Sequence, residues 1–164
     1  MASVYTDIDQ TTARFEDWLL SFVDCIDVDV MPGAQDFSNA YLPQQPINSF
    51  LLPRVGMKTN LNLVTNPHRF SVCDGLQFLG TSGQNVHDVR LYSSLDDSPL
   101  SVMRSLMAMQ HLCPTAPDTL RSFPFRTEDP FVVDRAPHVF FVGCPPHYGD
   151  KVFEYYESVM QKWQ

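Results

Sequence analysis

Near its start the chain repeats apolar residues at helical spacing: Phe15, Trp18, Leu19, Phe22, Val23 and Ile26. The spacing predicts an amphipathic helix of about four turns, with Glu16 and Asp17 near its beginning and a frayed polar lead-in over residues 1–10 before it. Val28 to Met31 reads as a short strand that Pro32-Gly33 ends. Leu61, Leu63, Phe70, Val72, Leu76 and Phe78 alternate in short runs split by Asn66-Pro67 and Asp74-Gly75. These predict consecutive strands, with Asp74-Gly75 as a hairpin turn.

The last of these strands runs into Gly80-Thr81-Ser82-Gly83, and a short helix is expected over about 84–92. Ser98-Pro99 has the form of a helix start, serine at the N-cap and proline at the first helical position. Leu100, Met103, Leu106 and Met107 form that helix's inner face, and Pro114 is expected to stop it. His138 to Val142 predicts another strand, ending at Gly143. Val152, Phe153, Tyr156, Val159, Met160 and Trp163 predict a final amphipathic helix with Asp150 at its N-cap, so residues 150–164 read as a helical tail. Two proline-rich loops, 32–54 and 113–130, interrupt the pattern. Loops of that length are functional or buttressed against something. The pattern as a whole is α/β (α+β), with a mixed sheet. Three strand-end turns, 33–36, 80–83 and 143–147, are expected to converge on one sheet edge with the two loops beside them.

Composition narrows the function. At 164 residues with 44% hydrophobic positions the chain can bury a core as one domain. The net charge is -8, and the 11 Lys and Arg residues are scattered. A large direct nucleic-acid footprint needs clustered cations, so none is expected here. No apolar run approaches the roughly 20 residues of a membrane span. The four cysteines form no Cys-x-x-Cys pair and the first ten residues carry no signal-peptide pattern, so reduced thiols in the cytosol or nucleus are expected.

Individual motifs carry little chemistry. Gly80-Thr81-Ser82-Gly83-Gln84-Asn85 can cradle an anion on backbone N–H groups, but it lacks the Gly-Lys-Ser/Thr ending of a P-loop and reads first as a tight strand-to-helix turn. Cys144 and His147 are three apart, and one such pair cannot make a zinc site. Cys113 and Cys144 read as buried inert thiols, since nothing sets a base beside them. His111 reads as a helix-end residue, and His68 and His87 as surface residues. Tyr156 and Trp163 read as core positions rather than a partner-facing patch.

Several stretches, in order, resemble the small (B) subunits of replicative DNA polymerases, and those of DNA polymerase delta in particular. They are Val28-Asp29-Val30-Met31-Pro32-Gly33, Leu42-Pro43-Gln44-Gln45-Pro46, Leu63-Val64-Thr65-Asn66-Pro67, the run Phe78 to Val86, Tyr92-Ser93-Ser94, Pro114 to Leu120 with Asp129-Pro130-Phe131, and Pro137 to Phe141. The resemblance covers roughly residues 25–150. It implies a partial calcineurin-like metallophosphoesterase β-sandwich flanked by helices, with residues 11–149 corresponding to the C-terminal part of that domain. Family members also carry an N-terminal OB-like domain and the first half of the phosphoesterase domain. The present chain is therefore expected to be a truncated product, an alternative transcript or an incomplete gene model, and the tail after Gly149 diverges from the family.

Active phosphoesterases end a buried strand with Gly-Asn-His-Asp/Glu. Here the frame reads Gly33-Ala34-Gln35-Asp36, and the second metal-binding turn, Gly-His-x-His, reads Gly143-Cys144-Pro145-Pro146. The resemblance thus marks Ala34, Gln35, Asp36, Cys144 and Pro146 as vestigial metal-site positions, with no catalytic residue, no metal and no cofactor. Alanine offers no donor atom and an amide is a poor substitute for imidazole. The implied function is that of a non-catalytic scaffold in the nucleus, holding the C-terminal domain of the DNA polymerase delta catalytic subunit and a further accessory subunit during replication and repair. The alternatives are a metal-dependent phosphodiesterase or nuclease with replacement ligands among Asp36, His111, His138 and His147, or a truncated, regulatory or non-functional fragment.

Overall fold

The computed structural model describes residues 2–73, 75–94, 98–143 and 154–155. Helices and strands mix along the chain, as the α/β pattern predicts. Helix α1 (Ala2–Leu20) leads into strand β1 (Val28–Val30), which pairs in parallel with β2 (Leu61–Leu63). A second sheet has the order β3 (His68–Val72), β4 (Leu76–Thr81), β5 (Val139–Val142), β6 (Glu154–Tyr155). The β3–β4 pair is a tight antiparallel hairpin with Val72 opposite Leu76, and Cys73 and Gly75 turn it at φ of 51° and 100°. Strands β4 and β5 run parallel, joined by a crossover through α2 (Gln84–Tyr92) and α3 (Pro99–Met109).

Two apolar cores result. In the first, α2 and α3 cover the β4–β5 face: Val86, Val89, Val102, Met103 and Leu106 meet Leu79 and Phe140, with Phe131 and Val133 from the segment just after the second proline-rich loop. Met103 and Met107 are core filler here, while Met109 at the end of α3 is exposed. In the second, Leu19 and Val23 of the α1 region pack on Leu61, Ile47, Leu52 and Val55. Fully burying each such side chain contributes about 1.5–3 kcal/mol.

Four expectations change. Residues 2–10 belong to α1, so they are not a frayed lead-in. Trp18 and Ile26 are exposed, while Glu16 is buried: Leu19 and Val23, four apart, fix the inner stripe, and Glu16 lies three before Leu19 on the same side. Its carboxylate accepts from the Arg54 and Val55 N–H groups at 2.7 and 3.2 Å, which explains an acid in that position. Helix α3 ends at Met109 with Gln110 as its C-cap, before Pro114 is reached. Gln110 takes the left-handed conformation (φ 55°) and its N–H closes on the Leu106 and Met107 carbonyls. Finally, Glu154 and Tyr155 pair antiparallel with β5 where the apolar spacing predicts helix. The open edge of β5 offers backbone partners, a tertiary opportunity that spacing does not carry. The rest of 150–164 lies outside the described residues.

Candidate functional site

The strand-end turns do come together. The N–H of Gly143 donates to the Thr81 carbonyl at 2.8 Å, which sets the end of β5 against the end of β4. A Cβ added to Gly83 would lie 2.3 Å from the Gly143 carbonyl oxygen, and one on Gly33 would lie 3.9 Å from Ser82 Cβ. Gly83 also sits at φ 99°, so glycine is required there twice over. The remainder of the 143–147 turn, including Cys144, Pro146 and His147, lies outside the described residues.

Between these turns sits a closed cluster of amides. Asn66 and Gln44 are 1% and 2% exposed, and they come from segments that also exchange both backbone hydrogen bonds, at 2.8 and 3.1 Å. Asn66 Nδ2 donates to Gln44 Oε1 at 2.7 Å, to Ser82 Oγ and to Gln84 Oε1 at 3.1 Å. Asn66 Oδ1 accepts from the Ser82 N–H at 3.2 Å, and Ser82 Oγ donates to Gln84 Oε1. Gln84 Nε2 donates back to Gln44 Oε1 at 2.8 Å. Gln44 Nε2 then reaches the Gly33 and Asn39 carbonyls at 3.1 and 3.0 Å, tying in the first turn. Buried amides are tolerated because nearly every donor and acceptor has a partner. The chain crosses between the two cores here: Gln44 lies between Leu42 of one and Ile47 of the other.

Of the sequence-marked positions, Ala34, Gln35 and Asp36 are all exposed. Asp36 Oδ2 accepts from the N–H of Gly33 at 2.7 Å, so the carboxylate closes its own turn. The other candidate ligands are dispersed. His138 Nδ1 accepts from the Gln77 N–H at 2.9 Å. His111 Nδ1 accepts from the Cys113 N–H at 3.2 Å while its Nε2 lies 3.0 Å from Asp129 Oδ2, which fixes the proton on Nε2. His87 is exposed, whereas His68 is half-buried, stacked on Phe70 and 3.4 Å from Asp29. No group of three or more His, Cys, Asp or Glu side chains among the described residues is arranged to hold a metal ion. Cys113 is buried, and that burial, with the charges of Asp129 and Asp88, pushes its thiol far above the ordinary range. It has no thiolate to offer as a nucleophile.

The two proline-rich loops meet. The Leu42 N–H donates to the Arg121 carbonyl at 3.0 Å, and the Phe123 N–H to the Leu42 carbonyl at 2.9 Å. The first loop supplies Gln44 and Asn39 to the amide cluster, and the second braces the first. Sequence reasoning marked the turn residues and missed Gln44, Asn66 and Gln84 as the residues that hold the turns. The sequence signal they carried was their place inside stretches that carry the family resemblance, which does not single them out from their neighbours.

The family model for the alpha/epsilon B subunit of DNA polymerase matches residues 3–150. The chain belongs to this family. Among its relatives, the DNA polymerase delta small subunit of Arabidopsis thaliana is 43% identical over 129 residues, 79% of this chain and 29% of the relative. DNA polymerase delta subunit 2 of Drosophila melanogaster is 38% identical over 137 residues, 84% of this chain and 31% of the relative. The DNA polymerase delta small subunit of Saccharomyces cerevisiae is 36% identical over 86% of this chain and 35% of the relative. The resemblance to polymerase delta small subunits therefore holds. The chain spans about a third of the length of these relatives.

Proposed function

We propose that this chain serves as a non-catalytic scaffold in a DNA polymerase delta complex. The observation that carries this reading is the state of the strand-end turns. Gln44, Asn66 and Gln84 bond to one another and reach Gly33 and Ser82, and Asp36 is engaged within its own turn. Among the described residues the junction presents neither a metal clamp nor a free base, which supports a role in holding loops over one in activating water. The fold is read as a degenerate phosphoesterase, in which Ala34, Gln35, Asp36, Cys144 and Pro146 occupy former ligand positions. The scaffold would hold the catalytic subunit's C-terminal domain and a further accessory subunit, act in the nucleus, and touch DNA only through the complex. Among the described residues no helix is long and apolar enough to cross a membrane.

Co-expression tests the reading. The chain is expected to co-purify with the C-terminal domain of the delta catalytic subunit and to leave bis-p-nitrophenyl phosphate and single-stranded DNA uncleaved in manganese. Manganese-dependent cleavage that Asp36→Ala abolishes would replace the scaffold by a nuclease. Failure to co-purify would leave a fragment without the binding role.

A further inference from the structure

A cleft of about 770 Å³ opens on the face where the first proline-rich loop meets the segment after Glu128. Its apolar lining comes from Leu79, Leu112 and Val132, with Pro43 and Pro67 along one wall. Leu79 and Leu112 belong to the packed core and are each 2% exposed, whereas Val132 is half exposed, so the cleft has a rigid floor and an open side. Charge enters the same lining through Glu128, Asp129, Asp134 and Arg69, three carboxylates to one guanidinium. The chain as a whole carries -8.

We infer that this cleft is a docking site for an extended partner segment bearing an arginine beside apolar residues. Two features choose that occupant. An apolar floor with an acidic lining matches a side chain whose stem is hydrocarbon and whose head is a cation. Guanidinium is more weakly hydrated than ammonium and pairs with carboxylates in a planar fork, so it loses less on entering such a cleft than lysine does. Within the lining Arg69 Nη1 donates to Asp134 Oδ1 at 2.7 Å, a single guanidinium–carboxylate bond that leaves the carboxylates of Glu128 and Asp129 beyond that pair. Asp129 is held in place, its Oδ1 accepting from the Phe131 N–H at 2.8 Å and its Oδ2 lying 3.0 Å from His111 Nε2, so a guanidinium would meet a fixed carboxylate on the remaining lone pairs. The lining includes none of the turn residues 33–36 or 80–83, although Pro43, Gln45, Thr65 and Pro67 flank Gln44 and Asn66 of the amide cluster, and the proposal does not rest on the scaffold reading.

Fluorescence anisotropy tests it with the full chain and a labelled octapeptide alternating leucine and arginine. A matched peptide carries citrulline in place of arginine, keeping shape and losing charge. The arginine peptide is expected to bind at least about tenfold more tightly than the citrulline one. Glu128→Gln should weaken it several-fold, and Val132→Arg, which puts a cation into the cleft, should abolish it while circular dichroism stays unchanged. Asp24→Asn, an acidic position elsewhere paired with Lys58, should have no effect. Equal binding of the two peptides, equal weakening by Asp24→Asn, or no binding at about 1 mM peptide would each overturn the inference. So would concentration-dependent dimerisation abolished by Val132→Arg, which would assign the cleft to a second copy of the chain.

Discussion

Replacing Asn66 by alanine removes the centre of the amide cluster and leaves its partners in place. The Ser82 N–H loses its acceptor, Asn66 Oδ1 at 3.2 Å, and Ser82 is 8% exposed, so water does not readily replace it. Gln44 Oε1 keeps the Gln84 Nε2 proton at 2.8 Å, so one acceptor survives. One orphaned buried donor costs about 1–3 kcal/mol. Losing well-partnered side-chain bonds and leaving a small void adds about 1 kcal/mol more. The total expected destabilisation is about 2–4 kcal/mol. With a urea dependence of about 1–3 kcal/mol per molar, the unfolding midpoint should fall by about 0.7–4 M, read by far-ultraviolet circular dichroism. A cycle with Gln44→Ala should give a coupling of about 0.5–3 kcal/mol, since the two side chains bond directly. Asp36→Ala should cost only about 0.5–1.5 kcal/mol, because its single bond to Gly33 is exposed. An Asn66→Ala midpoint within the range of Asp36→Ala, or coupling indistinguishable from zero, would refute the idea that the cluster holds the turns.

Gly83→Ala should destabilise by more than about 2 kcal/mol, because it meets both a carbonyl oxygen at 2.3 Å and a left-handed backbone; a thermal midpoint equal to the parent's would contradict this. In native protein at about pH 8, a thiol reagent followed by peptide mass spectrometry should label the exposed Cys25 and Cys73 and spare Cys113 until unfolding, since burial holds the Cys113 thiol protonated. The Arg69 hydrogen bond holds the Asp134 carboxyl below the usual range, so its contribution is present above the unfolded value of about 3.9 and lost as pH falls through the lower folded value. Carboxyl NMR titration should show Arg69→Ala moving Asp134 back up; an unchanged midpoint would remove Arg69 as the cause.

Local signals carried much of this fold. Helix α2 begins at Gln84, right after the glycine turn, and α3 begins at Pro99, because Gly83 and Ser98-Pro99 punctuate the chain strongly. The β3–β4 hairpin follows from alternation and its Asp74-Gly75 turn signal. Burial of Glu16 was not legible, since its partners are backbone N–H groups 38 and 39 residues away. Strand β6 was missed for the same reason, as β5 supplies its pairing. At the site, the turns were legible from their glycines. The cluster between them was not, because isolated Asn and Gln residues look like ordinary solvated positions until distant segments bring them together.

The side chains of Gln44, Asn66, Ser82 and Gln84 neither ionise in the physiological range nor change oxidation state. A junction fastened by them therefore keeps the same charge through shifts of acidity, thiol poise or trace-metal supply. Chelators should leave it intact, whereas a metal-clamped version of the same three turns would open when its ions were withdrawn. Fastening the turns with amides thus frees the packing of the two cores from any dependence on ion availability.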